Sequence, residues 1–98
     1  MTREEVAEYN EEALLLEERF DVAIIGVAER INLGPVAAYD ADMIIEILAK
    51  DMEVDEDDVE SLYDGDYESA KFSMAMEYFD YNIKGAWLGE NTPVFIYK

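Results

Sequence analysis

Asp21-Val22-Ala23-Ile24-Ile25-Gly26-Val27-Ala28-Glu29-Arg30-Ile31-Asn32 is the stretch on which the reading of the fold turns. Val22-Ala23-Ile24-Ile25 suits a buried strand, yet Phe20, Ile24, Val27 and Ile31 recur at helical spacing and Asp21 is a competent N-cap. The spacing and the cap together predict a helix, with the strand as the alternative. Asn32-Leu33-Gly34-Pro35 would then end that helix, since asparagine tolerates positive φ and proline cannot continue a helix. Downstream, Val36-Ala37-Ala38-Tyr39 reads as a short strand. Asp40 and Asp42 offer caps for a helix over about 42–50, whose Met43, Ile44, Ile47 and Leu48 form a broad apolar face with Ile45 behind it.

Upstream, Thr2-Arg3-Glu4-Glu5 has the Ser/Thr-x-x-Glu pattern of a capping box, so a helix is expected from Arg3. Val6, Tyr9, Ala13, Leu16 and Phe20 line one stripe of it, while Glu4, Glu8, Glu11, Glu12 and Glu18 gather on the other side. Leu15 falls in the middle of that acidic face. It is either a lone surface leucine or the mark of a contact.

Between Asp51 and Glu68 stand ten acids and no base: Asp51, Glu53, Asp55, Glu56, Asp57, Asp58, Glu60, Asp64, Asp66 and Glu68. Val54 before Asp55, Val59 four residues after it and Asp58 at the third helical position predict a short helix through Tyr63, N-capped by Asp55 and stapled by the two valines. Asp64-Gly65 turns the chain. A last helix over 66–81 carries Tyr67, Ala70, Met74, Tyr78 and Tyr81 on one face and Phe72, Ala75, Met76 and Phe79 on another. Ala86-Trp87-Leu88 and Pro93–Tyr97, joined by Gly89-Glu90-Asn91-Thr92, read as a hairpin with Pro93 at a strand's first position. The expected architecture is one compact α+β domain over 1–98. Four or five helices pack on a small sheet of about three short, mostly antiparallel strands that includes the C-terminal hairpin.

The chain has 98 residues, 51% of them hydrophobic, and its 25 acids against 7 bases give a formal charge of −18. That apolar content supports a folded domain rather than an acidic tail. Gripping phosphates requires a basic patch, and here no two Lys or Arg stand closer than eleven residues, which argues against direct nucleic-acid binding. With no Cys and no His, zinc fingers, thiol catalysis and Ser/His triads are absent. The five glycines form neither a dinucleotide-binding nor a P-loop spacing. Counted from Asp51, an EF-hand would place its glycine at Glu56 and its last ligand at Leu62, so that pattern fails too. The expectation is a non-enzyme with no cofactor and no metal. Neither an apolar signal core nor a membrane-length run is present, so no membrane association and a cytoplasmic location are expected.

What remains is the charge. Carboxylates three or four residues apart on a helix lie about 5–6 Å apart at Cβ, the scale of successive phosphates, and a small domain ordinarily carries a net charge of roughly 2–8. Adaptation to high salt and a merely solubilised surface both account for an excess. A face directed at a basic partner accounts for its concentration in one segment.

The blocks Ala28–Asp40 with Ile44-Ile45-Glu46-Ile47-Leu48, and Glu77–Asn82 running into Gly85-Ala86-Trp87-Leu88-Gly89-Glu90-Asn91-Thr92-Pro93-Val94-Phe95, resemble small proteins of unassigned function encoded by bacteriophages and prophages. The resemblance covers about residues 20–97 and brings no catalytic residues. It implies that the shared blocks are scaffold and that the acid-rich pieces carry this chain's own activity. Small acidic phage proteins are often decoys for host nucleic-acid-binding proteins, including restriction and CRISPR effectors. The resulting expectation is an inhibitor whose Asp51–Glu68 acids, with Glu4, Glu8, Glu11, Glu12 and Leu15, meet a basic host protein. The alternative is a self-associating interaction module, possible as a homodimer, that uses the aromatic and Met helix over 66–81 or the edge of the C-terminal hairpin.

Overall fold

The segment expected as a helix is a 3₁₀ turn followed by a strand. In the computed structural model, which describes residues 1–98, Glu18–Ala23 form the 3₁₀ turn and β1 runs over Ile24–Arg30. Asp21 does not act as an N-cap. Its carboxylate is held by the Arg3 guanidinium, Nη2 to Oδ1 at 2.8 Å and Nε to Oδ2 at 2.9 Å, and this fork pins it to the N-terminal segment. Beyond it the β-branched Ile24, Ile25 and Val27 suit a pleated surface. Arg30 pairs with Leu33, so Ile31 and Asn32 make a two-residue turn, with Asn32 at φ 61°, a left-handed conformation that asparagine tolerates.

β2, Leu33–Asp40, is the central strand of a three-stranded sheet of order β1-β2-β3. It contains the expected Val36–Tyr39 strand, and Val36 through Asp40 are all buried, the unbroken run expected of a strand covered on both faces. β1 pairs with β2 antiparallel, with irregularities flanking Ile25 and Glu29. β3, Val94–Ile96, pairs with β2 in parallel, Tyr39 beside Phe95. The sheet is therefore mixed, and the expected C-terminal hairpin is absent because Ala86-Trp87-Leu88 form no strand. Local bonds close that loop instead: the Thr92 hydroxyl donates to the Gly89 carbonyl at 2.7 Å and accepts from the Leu88 N–H at 2.9 Å. The Asn91 carbonyl accepts from the Leu14 N–H at 3.0 Å, so the loop is also fastened to the N-terminal segment.

α1 begins as expected with a complete capping box at Thr2 and Glu5, but it spans only Arg3–Tyr9. Asn10 ends it. Its side-chain N–H donates to the Pro35 carbonyl at 2.8 Å and to Asn91 Oδ1 at 3.0 Å, while its Oδ1 accepts from the Glu12 N–H. These bonds, two of them long-range and one local, outcompete further helix. α2 spans Ala41–Asp51, and of its two expected caps Asp40 serves, accepting from the Met43 N–H at 3.1 Å. The other Asp40 oxygen faces Lys98 Nζ at 3.3 Å.

The chain groups into two compact units, Met1–Ile44 with Trp87–Lys98, and Ile45–Ala86. The first holds α1 and the sheet around Val6, Phe20, Ile24, Val36, Tyr39 and Ile44. The second holds the rest of α2, α3 (Glu56–Tyr63), α4 (Tyr67–Tyr78) and a π-helical turn, Phe79–Lys84, around Ile45, Leu48, Val59, Ala70, Ala75 and Phe79. α3 and α4 stand where they were expected. The π turn closes on Gly85, whose N–H donates to the Asp80 carbonyl at 3.0 Å and where any Cβ would stand 2.8 Å from that oxygen. With four α-helices and a three-stranded mixed sheet, the fold is a small α+β fold.

Candidate functional site

α3 is a helix of eight residues anchored by a single fully buried side chain, Val59. So short a helix depends on its ends. Asp55 is the N-cap, accepting from the Asp57 N–H at 2.9 Å, and Glu56, Asp57 and Asp58 stand in the first turn, where carboxylates complement the helix dipole. At the other end Asp64 (φ 50°) and Gly65 (φ 81°) reverse the chain, and the Gly65 N–H donates to the Val59 carbonyl at 3.1 Å.

All ten acids from Asp51 to Glu68 are exposed. Some of them also serve the fold. Asp55 caps α3, and Asp66 caps α4, accepting from the Ser69 N–H at 3.1 Å and the Ser69 hydroxyl at 2.8 Å, bonds that hold the Asp66 carboxyl below its usual range. Glu56, Asp57, Asp58 and Glu60 on α3 stand in water outside any ion pair. The pairs Arg3–Asp21, Arg19–Glu17 and Lys98–Asp40 belong to the first unit.

The N-terminal candidates are arranged differently from expectation. Glu4 and Glu8 are exposed on α1, but Glu11, Glu12 and Leu15 lie beyond its end at Tyr9 and share no helical face with them. Leu15 is half-buried in the segment whose neighbouring Leu16 N–H donates to the buried Tyr39 hydroxyl at 2.9 Å. It is not a surface leucine on an acidic helix.

A second feature lies along α4. Of Tyr67, Ala70, Met74, Tyr78 and Tyr81, which helical spacing puts on one stripe, Ala70 is buried and the other four are exposed, Tyr81 to 82%. Two adjoining hollows run beside them. One is lined by Met52, Glu53, Val54, Tyr67 and Lys71, the other by Met52, Met74, Glu77, Tyr78, Tyr81 and Asn82. Met52 is common to both, and sequence reasoning passed over it because it lies between helices and belongs to no periodic pattern. Tyr67, the first residue of α4, also feels the acids of α3. Its phenol is pushed up first by burial and then by the nearby Glu56 and Glu60 carboxylates.

No group of three or more Asp or Glu side chains is disposed to hold a metal ion, and no helix is long and apolar enough to cross a membrane. No protein-family model, curated protein or solved structure matches the chain.

Proposed function

We propose that this is a non-enzymatic binding protein whose α3 carboxylates occupy the basic nucleic-acid-binding groove of another protein. The observation that carries the reading is the exposed carboxylates Glu56, Asp57, Asp58 and Glu60 on a helix capped at both ends, of which Glu60 stands one turn from Glu56 and Asp57. Charges held on an ordered helix keep their spacing, whereas the same residues in a tail would pay for ordering on binding. A net charge of −18 speeds encounter with a basic surface and makes binding salt-dependent. The resemblance to phage-encoded proteins supports a host nucleic-acid-binding or defence protein, of the restriction or CRISPR type, as the partner, in the cytoplasm of the infected cell.

The test is capture from host lysate at two salt concentrations, followed by charge reversal. Asp57→Lys and Glu60→Lys are expected to weaken binding to the captured protein by roughly 1–3 kcal/mol each, the scale of a close interfacial charge contact. Full binding by both variants would remove the reading. The exposed stripe on α4 favours a second reading, a homodimer joined through its aromatic and Met residues. Light scattering at high micromolar concentration separates the two, since the second reading requires a dimer.

A further inference from the structure

We infer that the element of the basic partner that docks here is a cationic amphipathic helix, laid along the α4 stripe with its apolar side on Met52, Tyr67, Met74, Tyr78 and Tyr81. This rests on the reading of the protein as a binder of a basic partner and names what part of that partner is held.

The stripe suits a docked helix in composition and length. Its apolar members are tyrosine and methionine, the residue types that make adaptable or anchoring contacts in such sites. From Tyr67 to Tyr81 it extends roughly 20 Å at about 1.5 Å per residue, the length of three to four helical turns. Two shallow, open hollows that share Met52 lie along it, one beside Tyr67 and the other beside Met74, Tyr78 and Tyr81.

Charge selects the occupant. Glu53 lines one hollow and Glu77 the other, so an acid borders the stripe at each. Lys71 is the one base lining either hollow. An apolar strip with an acidic margin fits a helix whose apolar stripe is flanked by Lys and Arg. A second copy of this chain would bring the same acidic margin against this one, and like charges across an interface disfavour that pairing. A purely electrostatic groove filler would have no use for the exposed tyrosines.

The experiment uses the full chain and two fluorescent 16-residue Lys/Leu peptides of one composition. In one the leucines fall at helical spacing; in the other they are scrambled. Anisotropy at about 0.15 M salt is expected to show the amphipathic peptide binding at least tenfold tighter. Met74→Ser with Tyr81→Ser should erase that preference while leaving the scrambled peptide's weak binding unchanged, and circular dichroism checks that this variant is folded. Glu56→Lys with Glu60→Lys should weaken both peptides. Equal binding of the two peptides would overturn the inference and leave the proposed function standing. If neither peptide binds and Asp57→Lys leaves binding to the captured partner intact, both fall. A stable dimer that Met74→Ser dissociates would also overturn the inference, because a second copy would then cover the stripe.

Discussion

Asp40 and Asp57 are both aspartates at the start of a helix, and the fold uses them in opposite ways. Asp40 is 5% exposed at the end of the central strand, with one oxygen on the Met43 N–H and the other facing Lys98. These bonds outweigh the cost of burial and hold its carboxyl below the usual range. Asp57 stands in water on α3, and its side chain takes part in no bond that the fold requires. A carboxylate whose partners are built in belongs to stability; one left bare at the end of a capped helix is free for a partner outside the chain.

The largest effect is expected at Asp40. Asp40→Ala removes a helix cap and leaves the Lys98 charge and the Met43 N–H without their acceptor, so urea unfolding is expected to show a loss of roughly 2–3 kcal/mol. Asp40→Asn keeps the cap and loses only the charge, and should cost visibly less. A loss within 0.5 kcal/mol for the alanine variant, at the level of roughly neutral surface substitutions, would place Asp40 with the exposed acids.

Acid sharpens the same contrast. Asp40 and Asp21 both titrate below the usual carboxylate range in the folded chain, Asp40 mainly through the Met43 N–H and Asp21 mainly through Arg3. Their contribution is present at neutral pH and down to the ordinary carboxylate range near 4, and it is lost as pH falls through the lowered folded values. Unfolding followed by circular dichroism between pH 7 and pH 2 should show the loss concentrated at the acid end, and Asp40→Asn should flatten it.

Smaller effects are expected within α3 itself. Asp55→Ala removes the bond to the Asp57 N–H and should cost about 1 kcal/mol, read as a lower melting temperature. Glu60→Lys changes two units of charge on an exposed face and should move stability by no more than about 0.5 kcal/mol in either direction, while weakening partner binding. Adding salt should raise the stability of the unmodified chain slightly by screening its self-repulsion. A melting temperature that falls with salt would mean that pairs such as Arg3–Asp21 outweigh that repulsion.

Much of the second unit could be read from local signals. The Asp55 cap, the end of α3 at Tyr63, the turn at Asp64-Gly65 and the helix after Asp66 each depend on residues within about four positions, and the structure has them where spacing put them. The capping box at Thr2 and the strand at Val36–Tyr39 are of the same kind.

Where the chain departs from its local signals, a distant partner is the cause. α1 ends at Asn10 because that side chain finds Pro35 and Asn91, 25 and 81 residues away. Asp21 leaves its expected cap for Arg3, 18 residues back, and the chain beyond it becomes a strand beside β2. β3 lies parallel to β2 rather than folding back on residues 86–88, which requires an alignment with Ala38–Asp40 that no local turn specifies. The sequence alone therefore determined the charge, the caps and the helices whose bonds close within a turn. Tertiary structure decided the partners across the sheet and left Tyr67, Met74, Tyr78 and Tyr81 outside the core. Spacing along a helix says which side chains share a face, and only the packing of the rest of the chain decides whether that face is covered.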